Sequence, residues 1–137
     1  MSKKIFGVVA GLAAWVGLVI VMGEIMRRSW PAYASVASAM TFTLPMMFAR
    51  LSIGALATVA AGFVTAMIVP RAALAKLMPG LLLLAAFVPQ HIVLWNKFPV
   101  WYHLTFLLSL VPLTYLGAAM RSASRAAFRH EIDTFAV

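Results

Sequence analysis

Six polar side chains lie within or beside the long apolar segments of this sequence, and they are its candidates for chemistry. Charged and polar groups are costly in apolar surroundings. When they occur inside a membrane-spanning segment, they often belong to a binding or transport site. The candidates comprise a carboxylate, a guanidinium, an amide, a phenol and two imidazoles, at Glu24, Arg50, Gln90, His91, Tyr102 and His103.

Glu24 and Arg50 are predicted to form an ion pair between the first two long helices. Glu24 is the only acidic residue before the C-terminal tail, so it is the one carboxylate available to Arg50 in the apolar region. Pairing would neutralise two charges that are costly to bury separately. The first interpretation is structural. The functional alternatives are an anion or lipid headgroup bound by Arg50, or a proton carried by Glu24.

Small residues at helical spacing predict how these two helices pack. Successive helical residues advance by about 100°, and small side chains let helices approach closely in membranes. The predicted stripe on the first helix comprises Ala10, Ala13, Gly17 and Glu24, and the stripe on the second comprises Arg50, Gly54, Thr58, Ala61 and Thr65. Gly7 and Gly11 form a small-xxx-small motif, which indicates a helix contact within the protein or between protomers.

His91 and His103 are expected at similar depth on adjacent helices. The simplest interpretation is a hydrogen bond between helices or to interfacial water. With Glu24 they could instead hold a metal ion, and as a pair they could ligate haem or contact a quinone. No two ligands share a helix at i,i+4 spacing and no haem attachment motif is present, so no metal or cofactor is predicted.

The elements that must position these residues are four membrane-spanning helices. The chain has 137 residues, of which 64% are hydrophobic and 10% charged, whereas soluble domains carry about 25% charged residues. Apolar runs of about 20 residues span a bilayer as helices. We expect an all-α, single-domain bundle running up-down-up-down, with helices over residues 5–26, 44–69, 77–95 and 100–120. A short interfacial helix is predicted within 32–40, and a kink at Pro89.

Flanking charges predict the orientation, because Lys and Arg favour cytoplasmic loops. One side would hold Lys3, Lys4, Arg71, Lys76, Arg121, Arg125 and Arg129, and the other Arg27, Arg28 and Lys97. Both termini, including a basic tail over 121–137, are therefore placed in the cytoplasm, and the protein in the plasma (inner) membrane. Arg121, Arg125 and Arg129 share one helical face, which is either an orientation signal or a contact for lipid headgroups or a partner.

The function expected first is that of a non-enzymatic accessory or assembly subunit that acts through helix contacts, with the bilayer and a membrane-protein partner or a second copy as partners. One alternative is a small homo-oligomeric transporter or channel that uses the polar cluster. Another is a protein that binds haem, quinone or metal through His91 and His103. The absence of cysteine excludes thiol chemistry, and the net charge of +8 lies in flanks of apolar runs rather than in a nucleic-acid surface. A catalytic triad is not expected, because Glu131 and Asp133 lie in the tail.

Overall fold

A computed structural model describes residues 2–135, apart from the side chains of residues 130 and 132–135, and this part of the chain is helical without strands. Its elements are α1 (Lys3–Ser29), α2 (Pro31–Val36), α3 (Leu44–Ile68), α4 (Ala73–Val93) and α5 (Val100–Phe135). Four of them are long and apolar enough to cross a membrane: α1, α3, α4 and residues 100–129 of α5. The prediction of a multi-pass helical membrane protein is therefore confirmed in these terms.

The helix ends differ from the predicted ones where charged residues continue a helix. Helix α1 includes Lys3, Lys4, Arg27 and Arg28, and α5 runs past residue 120 to Phe135. Lys, Arg and Ala are good helix formers, so the helix continues through charged residues. A span predicted from hydropathy stops before them. Helix α2 is shorter than the interfacial helix predicted. The predicted tail beyond Phe135 lies outside the described residues.

Helix α4 contains two prolines and nevertheless runs from Ala73 to Val93 without a break. Pro79 is buried within the bundle, beside Gly80. A kink at Pro89 remains a prediction, but this proline does not end the helix.

Helix α3 lies at the centre of the bundle, packed against α1 on one side and α5 on the other. Gly62 and Gly117 make the α3–α5 approach possible. A Cβ atom at Gly62 would collide with the carbonyl oxygen of Thr114, and one at Gly117 with the carbonyl oxygen of Val59. Only glycine allows the two backbones to lie so close.

Helix α1 meets α3 through Gly7, Gly11 and Trp15, which are its buried residues. Thr65 Oγ1 donates to the Gly7 carbonyl oxygen at 3.2 Å, and Trp15 Nε1 donates to Thr58 Oγ1 at 3.1 Å. The small-xxx-small motif thus contacts α3 of the same chain. Thr58 and Ala61 lie buried on the α3 side of this region, whereas Gly54, which was predicted to share their stripe, faces Phe106 of α5.

The stripe predicted on α1 is wrong, because its residues lie on a different face of the helix from the one that packs against α3. Ala13 and Gly17 are exposed, and a Cβ atom at Gly17 would meet no atom within 4 Å. The indole N–H of Trp15 requires a hydrogen-bond partner when buried. Together with the close approach at Gly11, the Trp15–Thr58 bond turns the Gly7–Gly11–Trp15 face toward α3.

Candidate functional site

A cavity of about 490 Å³ lies among all five helices, between the end of α1 and the start of α5. We call it the aromatic cavity, because seven of its 20 lining residues are Phe, Trp or Tyr. It is lined by Trp15, Val19, Gly23, Met26, Tyr33, Ala37, Met40, Phe42, Arg50, Ile53, Gly54, Ala86, Phe87, Gln90, His91, Leu94, Phe98, Tyr102, His103 and Phe106. Five of the six predicted polar residues therefore meet at one space.

Arg50 is the one permanently charged side chain in this wall. Its Nη1 donates to the Tyr33 hydroxyl at 2.6 Å, and its Nε donates to the Tyr102 hydroxyl at 3.3 Å. The guanidinium carbon also lies 4.6 Å from the centre of the Phe42 ring, a cation–π distance. Tyr33 and Tyr102 are buried at 4% and 6% exposure, so the guanidinium is held in a fixed position.

Glu24 does not pair with Arg50, contrary to the prediction. Its carboxylate contacts Arg28 Nε at 2.8 Å and Arg27 Nη2 at 3.1 Å on its own helix. Residues three and four positions along a helix are direct neighbours, so these contacts need no tertiary packing. Among the residues that the structure describes, Arg50 has no ion-pair partner, and its Nη2 has no hydrogen-bond partner.

His91 and His103 contact each other directly, with their Nδ1 atoms 2.7 Å apart. At this distance one Nδ1 must carry a proton and the other must accept it. His103 is fully buried, and its Nε2 has no hydrogen-bond partner among the described residues. Its ring stacks on Trp95 at 4.8 Å, while the His91 ring stacks on Phe106 at 5.0 Å.

The Nδ1–Nδ1 distance does not fit ligation of a metal ion or of haem iron by the two histidines, which the sequence left open as alternatives. Two nitrogens bound to one ion at about 2.0–2.1 Å lie roughly 3.3 Å apart in a tetrahedral site, and axial haem ligands lie farther apart still. No group of three His, Asp or Glu side chains lies close enough to hold an ion in the described part of the chain. The two histidines instead form a hydrogen bond between α4 and α5, which is the simplest interpretation of the sequence.

The remaining predicted residues are accounted for as follows. Gln90 is exposed and lines the mouth of the cavity. The three tail arginines of α5 lie near Arg71 of the α3–α4 link, away from the cavity. They are Arg121, Arg125 and Arg129. Glu131 is exposed, and the side chain of Asp133 lies outside those described.

Sequence reasoning missed most of the aromatic wall. Phe87 and Phe106 contact at 5.1 Å and Trp15 lies 5.3 Å from Phe87, yet aromatic residues in apolar runs are indistinguishable from ordinary span residues. Trp15 alone carried a signal, since Trp favours the interface rather than the middle of a span. Tyr33 lies in the segment predicted as a short interfacial helix, and nothing in that pattern indicates that its hydroxyl accepts a hydrogen bond from Arg50.

Comparisons with models of known protein families, with curated proteins and with solved structures yielded no match for this chain. The site is therefore interpreted from its own geometry.

Proposed function

We propose that this small multi-pass membrane protein binds an amphipathic organic anion in the aromatic cavity. Arg50 contacts the anionic group, and the aromatic wall contacts the apolar body. The observation that carries the proposal is the half-buried guanidinium of Arg50, which is positioned by two tyrosine hydroxyls and has no carboxylate partner among the described residues.

The charge of Arg50 is the first argument. Withdrawing a cation even partly from water without a counterion is destabilising, and charged residues within membrane spans are rare outside functional sites. The tyrosine hydroxyls disperse part of the charge but do not neutralise it. A ligand carboxylate or phosphate would complete the site through the free Nη2.

The shape and lining of the cavity supply the second argument. Ligand pockets typically measure about 300–1,000 Å³ and are mostly apolar with a few placed polar groups. A volume of about 490 Å³ with one guanidinium at the wall matches that description. Stacked aromatic rings such as Phe98 on Tyr102, at 4.8 Å, favour a flat or aromatic ligand body.

The interior beyond the cavity favours binding over open conduction. Ala57, Ala61, Leu83 and Leu110 form a packed apolar cluster in the middle of the bundle. A channel would need a continuous polar path through this cluster. We therefore propose a non-enzymatic binding protein, or a carrier that would have to rearrange this cluster to transport its ligand.

The proposed orientation follows the flanking charges. The four spanning helices run up-down-up-down in the plasma membrane, with both termini in the cytoplasm. The aromatic cavity then faces the outside, where an external ligand could enter.

The test is a binding measurement on the full chain in lipid nanodiscs by isothermal titration calorimetry. We expect 2-naphthoate to bind, and the neutral 2-naphthamide to bind at least tenfold more weakly. Arg50→Gln should remove this preference, whereas Arg27→Gln, at an exposed arginine on α1, should retain it. Equal binding of acid and amide by the unaltered protein would refute the proposal.

A second candidate function is that of an accessory subunit, and a groove between α1 and α4 favours it. The groove is apolar and is lined by Ile5, Val8, Leu12, Met78 and Leu82, among others. A partner helix or a second copy would fit there. A photo-crosslinking residue at Leu82 should then capture one membrane protein reproducibly, and capture of lipid alone would count against it.

A further inference from the structure

A second charged site lies at the opposite end of the bundle from the aromatic cavity. Cationic side chains from three separate chain segments converge there: from the start of α1, from the α3–α4 link and from α5. Two adjoining pockets share Arg71, Arg121 and Arg125, and we call them together the basic hollow. Its cations are Lys3, Lys4, Arg71, Arg121, Arg125 and Arg129.

The described residues that line the basic hollow carry an excess of positive charge. No acidic side chain is among the described residues that line it, and the ion pairs of the described chain all involve Glu24. Like charges held together repel one another, so a bound anion would relieve this repulsion.

Arg121 shows the strongest requirement for a ligand. Its Nε is buried and has no hydrogen-bond partner among the described residues, and its guanidinium carbon lies 6.0 Å from the centre of the Phe63 ring. An unpaired buried donor is destabilising, and more so when it is charged. A phosphate in the hollow would stabilise the charge of the guanidinium.

The apolar part of the wall indicates the kind of anion. Met67, Ile68 and Val69 at the end of α3 line the hollow beside the cations, and Met67 is 52% exposed. A ligand with both a phosphate and acyl chains would contact both surfaces.

We propose that the basic hollow binds the phosphate headgroup of an anionic phospholipid, with the acyl chains along the exposed end of α3. Cytoplasmic arginines alone would serve as an orientation signal, but that role requires neither convergence from three segments nor a buried unpaired guanidinium nitrogen. The site is independent of the ligand of the aromatic cavity.

Native mass spectrometry of the full chain, purified in detergent, tests this proposal. Phosphatidylglycerol should bind with a stoichiometry of one and at least tenfold more tightly than the zwitterionic phosphatidylcholine. The variant with Arg71→Gln, Arg121→Gln and Arg125→Gln should lose this preference. A matched variant with Arg27→Gln, Arg28→Gln and Lys97→Gln removes the same charge from the other end and should retain it.

Circular dichroism confirms that each variant keeps its helices, and the single change Arg125→Gln, at an exposed position, should weaken binding about threefold if the triple variant does not fold. Competition distinguishes the source of the phosphate: inorganic phosphate at millimolar concentration should not displace the lipid. Displacement by free phosphate, equal binding of the two lipids, or an equal loss in both triple variants would overturn the proposal.

Discussion

Arg50 and Tyr33 are joined by a hydrogen bond of 2.6 Å, in which the guanidinium Nη1 donates to the phenol oxygen. The bond connects the short helix α2 to the central helix α3, and it fixes the one cation among the residues that line the aromatic cavity. It also explains why Tyr33 is buried at 4% exposure although it lies in a segment that the sequence places at the membrane surface.

Replacing Tyr33 by Phe should weaken anion binding while preserving the fold. Hydrogen bonds to charged groups contribute about 1.5–3 kcal/mol, and Arg50 retains Tyr102. We expect a loss of about tenfold in 2-naphthoate affinity by calorimetry. Tyr115→Phe is the control, because Tyr115 is 62% exposed, and similar losses in the two variants would contradict a positioning role for Tyr33.

Glu24→Gln should have almost no effect on either stability or anion binding. The carboxylate is engaged by Arg27 and Arg28 at an exposed position on α1, and such solvent-screened surface pairs contribute little to stability. A double-mutant cycle between Glu24→Gln and Arg50→Gln should show no coupling in thermal unfolding. Measurable coupling would support the predicted Glu24–Arg50 ion pair and contradict the pairing of Glu24 with Arg27 and Arg28.

The His91–His103 contact should hold a single proton between the two rings. With Nδ1 atoms 2.7 Å apart, one Nδ1 carries the proton and the other accepts it. Nitrogen-15 NMR of selectively labelled protein should therefore show one protonated and one unprotonated Nδ1, joined by a scalar coupling across the hydrogen bond. The coupling should disappear in His91→Asn, and protonated Nδ1 atoms on both rings would contradict the contact.

Gly62→Ala should destabilise the bundle, because its Cβ atom would collide with the Thr114 carbonyl oxygen. Forcing atoms into a packed interior costs about 1–3 kcal/mol. Gly17→Ala is the matched control, since its Cβ atom meets nothing within 4 Å, and it should stabilise α1 by about 0.5–1 kcal/mol through lower backbone entropy in the unfolded chain. Thermal unfolding in detergent should show a lower midpoint for Gly62→Ala and a higher one for Gly17→Ala. Equal shifts of the midpoint in the two variants would argue against the close α3–α5 contact.

The spans and the clustering of polar residues at one end could be predicted, because both depend on position along a helix. Hydropathy locates a span, and a rise of about 1.5 Å per residue locates depth. His91 and His103 were placed at a common depth in this way, and they are in contact.

Rotation about the helix axis was harder to predict. The small residues of α1 formed two plausible faces, and the choice between Gly17 and Gly11 depends on the Trp15–Thr58 hydrogen bond, which is a tertiary contact. The partner of Glu24 was misassigned for a related reason. Two arginines on its own helix were counted as orientation signals, although local geometry places them within reach of the carboxylate.

The most direct test of the account uses a single cysteine at Gly23, which lines the aromatic cavity and has open space for a Cβ atom. The chain has no native cysteine, so an impermeant thiol reagent applied to intact cells reports this position alone, with Ser35→Cys and Ser122→Cys as controls for the two sides. We predict labelling from outside that 2-naphthoate blocks, and that it no longer blocks when Arg50→Gln is added. Labelling at Gly23→Cys that 2-naphthoate leaves unchanged in the protein with Arg50 would contradict the proposed binding site, and labelling of Ser122→Cys but not Ser35→Cys would contradict the orientation.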